Sequence, residues 1–271
     1  MKRKSVSRRA VTTKMFTGVI LAVFAAVPLQ AAATPTAGLP ADVVSSGKLI
    51  VGLEGTYPPF SYQNGSGQLV GFEIDFAAAL AKRLGVVAAF QPGKWDGLLA
   101  AVQSGRIDVV INQVTITPDR QKTFDFSEPY TVSGIQIITR KTDTAKYDTP
   151  AKLAGVRVGV GLGTNYQQWL QQNEPAAIIK TYDDDPTKYA DLAAGRIDAV
   201  LNDRLVAADY IKTSGQPFAA AGAPFAKQEA GVAFKKNPAF RAALNTAINS
   251  LRADGSLKAI SIKWFGTDVT K

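Results

Sequence analysis

The segment from Gln113 to Arg120 carries side chains suited to binding an anion. Thr115 and Thr117 supply hydroxyl groups, and the turn into a predicted helix at Pro118 supplies backbone amides. Arg120 adds a planar guanidinium that matches a carboxylate through two parallel hydrogen bonds. The segment therefore indicates a carboxylate site, and the alternative for Arg120 is a solvated charge near the start of a helix.

Two acidic residues at predicted strand ends are candidates for binding an ammonium group. Glu54 follows a predicted strand at 48–53, and Asp203 ends a strand in the second half of the chain. Acids at strand ends also commonly cap the helix that follows, so this structural role is the alternative for both. Tyr57 and Trp95 lie in predicted loops, where an aromatic ring either walls a pocket or packs in the core.

The sequence contains no histidine and no cysteine. Their absence removes the commonest general base, the commonest metal ligand, and the Ser-His and Cys-His nucleophile pairs. An enzyme would have to rely on carboxylates, lysines or tyrosines. The acidic run from Asp183 to Asp185 precedes Pro186 and is typical of a solvated turn rather than a metal site. We therefore expect no catalytic residue, no metal and no cofactor.

The elements that position these residues alternate between strands and helices. Apolar runs at 48–53 and 107–111 predict buried strands. Apolar residues spaced by three and four predict a helix over 71–84, ended by Gly85, and a second helix is predicted over 96–103. Continuous apolar strands between helices are typical of an α/β fold with mostly parallel sheets.

The sequence repeats itself at a distance of ninety residues. The stretch 104–113 (SGRIDVVINQ) returns as 194–203 (AGRIDAVLND), and 51–56 (VGLEGT) resembles 160–164 (VGLGT). Two repeats in the same order indicate two similar α/β halves with a cleft between them. Ligands of open α/β sheets bind beyond the carboxyl ends of the strands. Those ends carry Glu54, Asn112, Gln113, Thr164, Asn202 and Asp203.

The first 33 residues predict an export signal rather than part of the fold. Six basic residues between Lys2 and Lys14 precede the uncharged apolar run from Met15 to Leu29. This run is shorter than the ~20 residues that a membrane-spanning helix needs. It is followed by three small residues, Ala31 to Ala33, which form a cleavage pattern. An uncleaved membrane anchor is the alternative.

The charge of the remaining chain argues against nucleic-acid binding. The whole sequence carries +9, but six of its 31 basic residues and none of its 22 acidic residues lie in the leader, which leaves 25 basic and 22 acidic residues, or +3. Binding of nucleic acid needs a clustered basic face. Without cysteine, no disulfide and no lipid-anchored cysteine is expected, and a chain of this size buries a sufficient core without them.

Five motifs resemble, in order, the polar amino-acid-binding proteins of bacterial ABC importers. They are 55–60 (GTYPPF), 71–76 (GFEIDF), 105–108 (GRID), 117–120 (TPDR) and 125–130 (DFSEPY). The resemblance covers residues 42–271 and implies a two-lobed periplasmic-binding-protein fold of type II. It also implies a periplasmic monomer that docks on permease subunits in the inner membrane and catalyses no reaction.

The resemblance implies a domain organisation in which two crossing strands, at 133–137 and 228–232, form a hinge. Closure about such a hinge would trap the ligand between the lobes. The implied parts are a signal peptide at 1–33, a discontinuous first lobe at 42–135 and 230–271, and a second lobe at 136–229.

The resemblance further implies roles for individual residues. Arg120 matches the arginine that binds the α-carboxylate of the ligand, with Thr115 beside it, and Asp203 matches the acid that receives the α-ammonium. Tyr57 and Trp95 match the positions that enclose the ligand side chain. The expected ligand-binding residues are Glu54, Tyr57, Trp95, Asn112, Gln113, Thr115, Arg120, Asp203 and, from the second-lobe loop, Gly161, Thr164, Asn165 and Tyr166.

Further segments, among them 94–97, 159–166 and 181–189, are similar to the L-cystine-binding members of this family. Cystine has two zwitterionic ends joined by an apolar disulfide, so it needs carboxylate and ammonium partners together with aromatic walls. Glu54 stands where the family usually has aspartate, which leaves its partner open. The alternatives are another polar amino acid or diaminopimelate, or an enzyme similar to cyclohexadienyl dehydratase with Glu54 as its acid.

Overall fold

The computed structural model describes residues 37–271, and the predicted signal peptide at 1–33 lies outside the described residues. Within 37–271, no helix is both long and apolar enough to cross a membrane. Strands and helices alternate along this part of the chain, as the sequence predicts.

The strands are β1 (Lys48–Leu53), β2 (Thr56–Tyr57), β3 (Ser61–Gln63), β4 (Leu69–Val70), β5 (Val87–Pro92), β6 (Val109–Val110), β7 (Phe124–Phe126), β8 (Thr131–Arg140), β9 (Arg157–Gly161), β10 (Ile178–Tyr182), β11 (Ala199–Asp203), β12 (Phe218–Ala230) and β13 (Ala233–Lys235). The helices are α1 (Ala41–Ser46), α2 (Phe72–Arg83), α3 (Trp95–Ser104), α4 (Pro118–Thr123), α5 (Asn165–Asn173), α6 (Asp185–Ala193), α7 (Arg204–Thr213), α8 (Pro238–Ala253) and α9 (Ser256–Phe265). Two short 3-10 helices cover Lys141–Lys146 and Pro150–Leu153.

Two five-stranded sheets share one layout. The first has the order β5-β1-β6-β13-β7, and the second has the order β10-β9-β11-β8-β12. In each sheet the first three strands pair in parallel, and the fourth runs antiparallel to both of its neighbours. The sheets are therefore mixed, with one reversed strand in each, which refines the prediction of mostly parallel sheets.

The repeated Gly-Arg-Ile-Asp motif packs in the same way in both sheets. The strand after each motif, β6 or β11, pairs with the strand that opens its half, β1 or β9. A methyl group added at Gly52 of β1 would lie 2.2 Å from Ile107 Cδ1, and one added at Gly159 of β9 would lie 2.5 Å from Ile197 Cδ1. The isoleucine of each motif thus occupies the space that a glycine leaves on the neighbouring strand.

The aspartate of each motif bonds to the backbone of the same neighbouring strand. Asp108 Oδ2 accepts the Ile50 N–H at 2.7 Å, and Asp198 Oδ2 accepts the Arg157 N–H at 3.3 Å. The strand predicted over 107–111 is shorter in the structure, where only Val109 and Val110 form β6. A side chain, rather than a backbone carbonyl, takes the Ile50 N–H where the parallel pairing would continue.

The two predicted helices of the first half are present, with shifted ends. The helix predicted over 71–84 is α2, and Gly71 precedes it with a φ of 140°. A side chain at Gly71 would place its Cβ 2.0 Å from the Phe60 carbonyl oxygen, so only glycine fits there. The second helix, α3, begins at Trp95. The prediction that Trp95 lies in a loop is therefore wrong.

Strands β8 and β12 pair along almost their whole length, from Phe218 opposite Arg140 to Ala230 opposite Thr131. The crossing strand predicted at 133–137 lies within β8, and the one predicted at 228–232 covers the end of β12. The lobe boundaries that the sequence predicts fall on these strands and remain a prediction.

Separate clusters of buried apolar residues pack against the two five-stranded sheets. The cluster at the first sheet joins it to α2, α8 and α9 and includes the fully buried Phe72, Phe76, Tyr130, Phe234 and Leu244. The cluster at the second sheet includes Ile135, Ile137, Val158, Val160 and Leu170. These cores fix the strands whose ends carry the candidate ligand-binding residues.

Candidate ligand-binding site

A pocket lies where the carboxyl ends of β1, β6, β9 and β11 come together. Three predicted residues, Thr115, Arg120 and Asp203, are buried behind its wall rather than lining it. The other nine line it: Glu54, Tyr57, Trp95, Asn112, Gln113, Gly161, Thr164, Asn165 and Tyr166. The strand ends that the repeats predict to converge thus do converge.

Arg120 lies in the first turn of α4, which Thr117 caps by accepting the Arg120 N–H at 3.2 Å. Its side chain is buried, which excludes the alternative of a solvated charge. Nη1 donates to the Thr115 carbonyl at 3.0 Å, and the guanidinium lies 5.2 Å from the centre of the Trp95 ring. Nη2 is buried without a hydrogen-bond partner among the described residues. Burial lowers the pKa of Arg120 to about 10, so the group stays charged at neutral pH and can bind an anion.

Thr115 belongs to a hydrogen-bond group centred on Gln228 of β12. The Thr115 hydroxyl donates to Gln228 Oε1 at 3.0 Å, and Asn165 Nδ2 donates to the same oxygen. The group links the loop after β6 to the start of α5. Sequence reasoning placed Gln228 only on a crossing strand and missed this role, because nothing in its sequence context indicates a partner so far along the chain.

Asp203 caps helix α7 by accepting the Leu205 N–H at 2.7 Å. Its Oδ1 also accepts the Ser133 hydroxyl at 2.8 Å. Asp203 therefore has the helix-capping role that was the alternative to ligand binding. Burial raises the pKa of Asp203 to about 6 despite these donors. Burial also raises the pKa of Tyr166, which lines the pocket, and the Asp203 carboxylate raises it further.

Glu54 follows β1 and is bonded twice to Asn112. Asn112 Nδ2 donates to Glu54 Oε2 at 2.7 Å, and the Glu54 N–H donates to Asn112 Oδ1 at 2.8 Å. Burial raises the pKa of Glu54 to about 7; the Asn112 hydrogen bond opposes this rise and the nearby Asp185 adds to it. Glu54 is therefore a carboxyl group of the pocket that changes charge near neutral pH.

Tyr57 lies in the short strand β2 rather than in the predicted loop, and it reaches across the pocket to the second five-stranded sheet. Its hydroxyl donates to Asn202 Oδ1 at 2.8 Å, and its ring stacks on Phe60 with centroids 5.8 Å apart. Trp95 packs partly against the apolar cluster below α3 while lining the pocket. Both alternatives stated for these aromatic residues thus apply together, since each ring has one side in the core and one at the pocket.

Gln113 reaches the pocket, but its side chain is turned into the protein. Its backbone has a φ of 48°, and its N–H donates to Glu73 Oε1 at 2.7 Å. The side-chain Nε2 donates to the same oxygen at 3.1 Å, and Oε1 accepts the Thr131 hydroxyl at 3.0 Å. Because these bonds occupy the amide, Gln113 contributes backbone rather than side chain to the pocket.

The loop after β9 forms the opposite wall. Thr164 caps α5, since its hydroxyl oxygen accepts the Gln167 N–H at 3.3 Å, and the hydroxyl donates to the Gly161 carbonyl at 2.8 Å. A Cβ at Gly161 would lie 2.8 Å from Thr164 Cγ2, so the tight turn requires glycine. This turn aims the first residues of α5, Asn165 and Tyr166, at the pocket.

The acidic run before α6 is not a uniformly solvated turn. Asp183 is exposed and pairs with Lys94 at 2.7 Å, and Asp184 caps α6 by accepting the Thr187 N–H at 2.8 Å. Asp185, in contrast, is buried: its Oδ1 accepts from Lys188 Nζ at 2.5 Å and its Oδ2 accepts from Asn202 Nδ2 at 2.6 Å. For Asp185 the prediction is therefore wrong.

A helical pattern in the sequence could have identified these buried residues. Asp185, Lys188, Tyr189 and Leu192 follow the spacing i, i+3, i+4, i+7 of one buried helix face. The pocket is also lined by Asn202, which the sequence places at a strand end of the cleft, and by residues that were not predicted there: Asp96, Leu162, Tyr182, Asp183, Asp184, Asp185 and Lys188. Among residues 37–271, no cluster of acids is arranged to hold a metal ion.

Comparison with known proteins places this geometry in a family. The L-cystine-binding protein TcyJ of Escherichia coli (strain K12) is 55% identical over 235 residues, which cover 86% of this chain and 88% of that protein. An ancestral arginine-binding protein solved with arginine is 38% identical, with a TM-score of 0.77 over 81% of this chain and 99% of that chain.

A third relative is the ancestral amino acid-binding protein AncCDT-1, described as a precursor of cyclohexadienyl dehydratase. It is 35% identical, with a TM-score of 0.77 over 83% of this chain and 98% of that chain. These structures confirm the predicted type II periplasmic-binding-protein fold. The sequence profile of bacterial extracellular solute-binding proteins, family 3, matches residues 49–267, and the chain belongs to that family.

Proposed function

We propose that this protein is the periplasmic binding component of an amino-acid ABC importer, that it binds L-cystine between its two lobes, and that it delivers cystine to permease subunits as a monomer. Because the family consists of solute-binding proteins, the chain is a binding protein rather than an enzyme. Glu54 therefore needs no catalytic role.

The observation that carries this proposal is the burial and the incomplete hydrogen bonding of the Arg120 guanidinium. The group is buried beside the pocket, and Nη2 has no partner among residues 37–271. An unpaired buried N–H of a charged group is costly, and a carboxylate offers the acceptor that it lacks. Asp203, behind the same wall, supplies a carboxylate for the α-ammonium. The 55% identity to an L-cystine-binding protein supports cystine as the amino acid.

A second candidate ligand is arginine, which the ancestral relative binds. Glu54 and Asp185 favour a cationic side chain in the pocket. Lys188, which lines the same region, opposes such a side chain by repulsion between like charges. Calorimetric titration with L-cystine, L-arginine, L-glutamine, L-histidine and diaminopimelate separates the candidates. We expect cystine to bind most tightly; tighter binding of another amino acid would leave the amino-acid site in place and overturn cystine.

The variant Arg120→Ala tests the carboxylate site. Loss of a buried, charge-assisted contact costs about 2–5 kcal/mol, so the dissociation constant for cystine should rise by at least about 30-fold. Lys122→Ala is the matched control, because Lys122 lies on the same helix, is exposed and, among residues 37–271, pairs only with Asp119. Calorimetry and thermal melting of both variants make the comparison. Wild-type affinity in a folded Arg120→Ala protein would exclude Arg120 from the site.

A further inference from the structure

The pocket contains a second group of charged side chains, separate from Arg120. We define the distal cluster as Glu54, Asp185, Lys188 and the amides of Asn112 and Asn202, all of which line the pocket. Asn112 donates to Glu54 on one side of this cluster, and Lys188 and Asn202 donate to Asp185 on the other. Arg120, in contrast, is buried outside the residues that line the pocket and donates to the Thr115 carbonyl. Charged groups therefore lie at two places, with Arg120 beside the pocket and the distal cluster in its lining.

Lys188 is the unusual member of the distal cluster. It is 1% exposed, and its ammonium group has a single hydrogen-bond acceptor among the described residues, Asp185 Oδ1. An ammonium group carries three N–H donors, and a buried charge is tolerated when it is paired and hydrogen-bonded. The Tyr189 ring, 5.6 Å from Nζ, covers another side. Lys188 can thus donate to an anion in the pocket without leaving Asp185.

Glu54 offers the complementary group. Its Oε2 accepts from Asn112, and its carboxylate can still accept from a cation, because a carboxylate has about four acceptor positions. Asp185 is already occupied on both oxygens, by Lys188 and by Asn202. The distal cluster therefore presents one acceptor for a cation and one donor for an anion.

We infer that Glu54 and Lys188 form a second head-group site, in which Glu54 accepts the distal ammonium of the ligand and Lys188 donates to its distal carboxylate. This inference rests on the proposed binding of cystine, whose first head group occupies the region of Arg120 and Asp203. Recognition of both ends selects diamino diacids over ligands with a single charged end. A guanidinium side chain would satisfy Glu54 but meet the charge of Lys188.

Truncated ligands test this inference on the wild-type protein. The mixed disulfide of cysteine with cysteamine lacks only the distal carboxylate, and the mixed disulfide with 3-mercaptopropionate lacks only the distal ammonium. The chain has no cysteine thiol to exchange with them. We expect each to bind at least about tenfold more weakly than cystine, since a buried charged partner is left unpaired. Equal affinity for all three ligands would overturn the second head-group site.

The variant Lys188→Met tests whether Lys188 binds the distal carboxylate of the ligand. It keeps the buried stem and removes the charge, so the affinity for cystine should fall at least about tenfold while the affinity for the cysteine–cysteamine disulfide changes less than about twofold. Lys180→Met, an exposed lysine of the same lobe, is the control and should leave both affinities unchanged. Equal weakening of both ligands would mean that Lys188 has only a structural role, and the inference would fail.

Lys188→Met leaves Asp185 buried without its partner, and such a variant can fail to fold. The double variant Asp185→Asn with Lys188→Met removes both charges and should show the same selective loss of cystine affinity. Wild-type cystine affinity in the folded double variant would overturn the inference. The two proposals fail differently: absence of cystine binding to the wild-type protein overturns the proposed function, whereas tight cystine binding without the selective loss overturns only the second head-group site.

Discussion

At the scale of single residues, Glu54 is the acid whose ionisation we expect to change ligand affinity near neutral pH. Burial raises its pKa to about 7, so near neutral pH a substantial fraction of the protein carries a protonated Glu54. A protonated carboxyl group cannot attract an ammonium, and only the ionised fraction is competent for the distal end of cystine. Asn112 donates to the Glu54 carboxylate, and the charges of Asp185, Lys188 and Glu73 also shift its pKa.

We expect cystine affinity to rise with pH through this pKa. Between about pH 5.5 and 7.5 the ionised fraction of Glu54 grows by more than tenfold, and the apparent dissociation constant falls in proportion. Asp203, with a pKa of about 6, contributes to the lower part of this range. Glu54→Gln should therefore lose most of the dependence across the whole range and keep only the rise of about fourfold that the ionisation of Asp203 contributes. Calorimetric titration across the range measures both profiles, and identical profiles would exclude titration of Glu54.

The residue types alone predicted that Glu54 lies at the pocket, because it follows a strand end, whereas the ligand contacts of Arg120 and Asp203 stay a prediction. What the sequence did not predict depends on side-chain direction. Gln113 turns inward because Glu73 accepts its N–H and its amide. Asp185 turns inward because α6 begins one residue after the cap at Asp184, which places Asp185 on the buried face of the helix.

At the scale of elements, the repeated motifs are explained by one packing solution used twice. Gly52 and Gly159 make room for the isoleucines of the motifs, and Asp108 and Asp198 tie each motif to the opening strand. The repeat in the sequence was therefore sufficient to predict two similar sheets. It was not sufficient to predict the reversed strands, because β8 and β13 pair with partners far along the chain and lie outside the repeats.

Substitution of Gly52 tests this packing. Gly52→Ala places a methyl group 2.2 Å from Ile107 Cδ1 and 3.3 Å from Leu98 Cδ2, and overpacking of this kind costs about 1–3 kcal/mol of unfolding free energy. Adding Ile107→Val removes Cδ1 and should recover most of that loss, although Ile107→Val alone costs about 0.5–1.5 kcal/mol. Urea unfolding of the two single variants and the double variant measures the coupling. Additive losses would contradict the packing.

At the scale of the whole molecule, the two sheets are joined by a few specific contacts around the pocket. Tyr57 reaches Asn202, Gln228 joins Thr115 to Asn165, and Lys94 pairs with Asp183. Most of these groups line the pocket or lie directly behind it, so ligand binding and the closeness of the two sheets depend on the same side chains. The type II fold could be predicted from motifs along the chain, but these pairings could not, since each joins residues brought together only by the folded sheets.

The buried Glu73 and Asp203 and the half-buried Glu54 contribute to the dependence of stability on pH. Burial raises the pKa of Glu54 and Glu73 to about 7 and that of Asp203 to about 6, from ordinary values of 4.5, 4.5 and 3.8. Between the ordinary and the raised pKa, the folded protein holds protons that the unfolded chain has released. Unfolding free energy therefore falls as pH rises through this interval and levels off above about pH 7.

Acids with lowered pKa, such as Asp254 with a pKa of about 2, act in the opposite direction and only in more acidic solution. Maximum stability is therefore expected near pH 5 rather than near neutrality.

The variant Glu73→Gln tests this expectation. It resembles the protonated form of Glu73 and keeps an oxygen that accepts from the Tyr130 hydroxyl and the Gln113 N–H. Between pH 5 and 8 the unfolding free energy of the variant should fall by up to about 3 kcal/mol less than that of the wild-type protein, so the variant becomes relatively more stable as pH rises. Urea unfolding at both pH values measures the difference; a fall of the same size in both proteins would mean that Glu73 ionises in the folded protein as readily as in the unfolded chain.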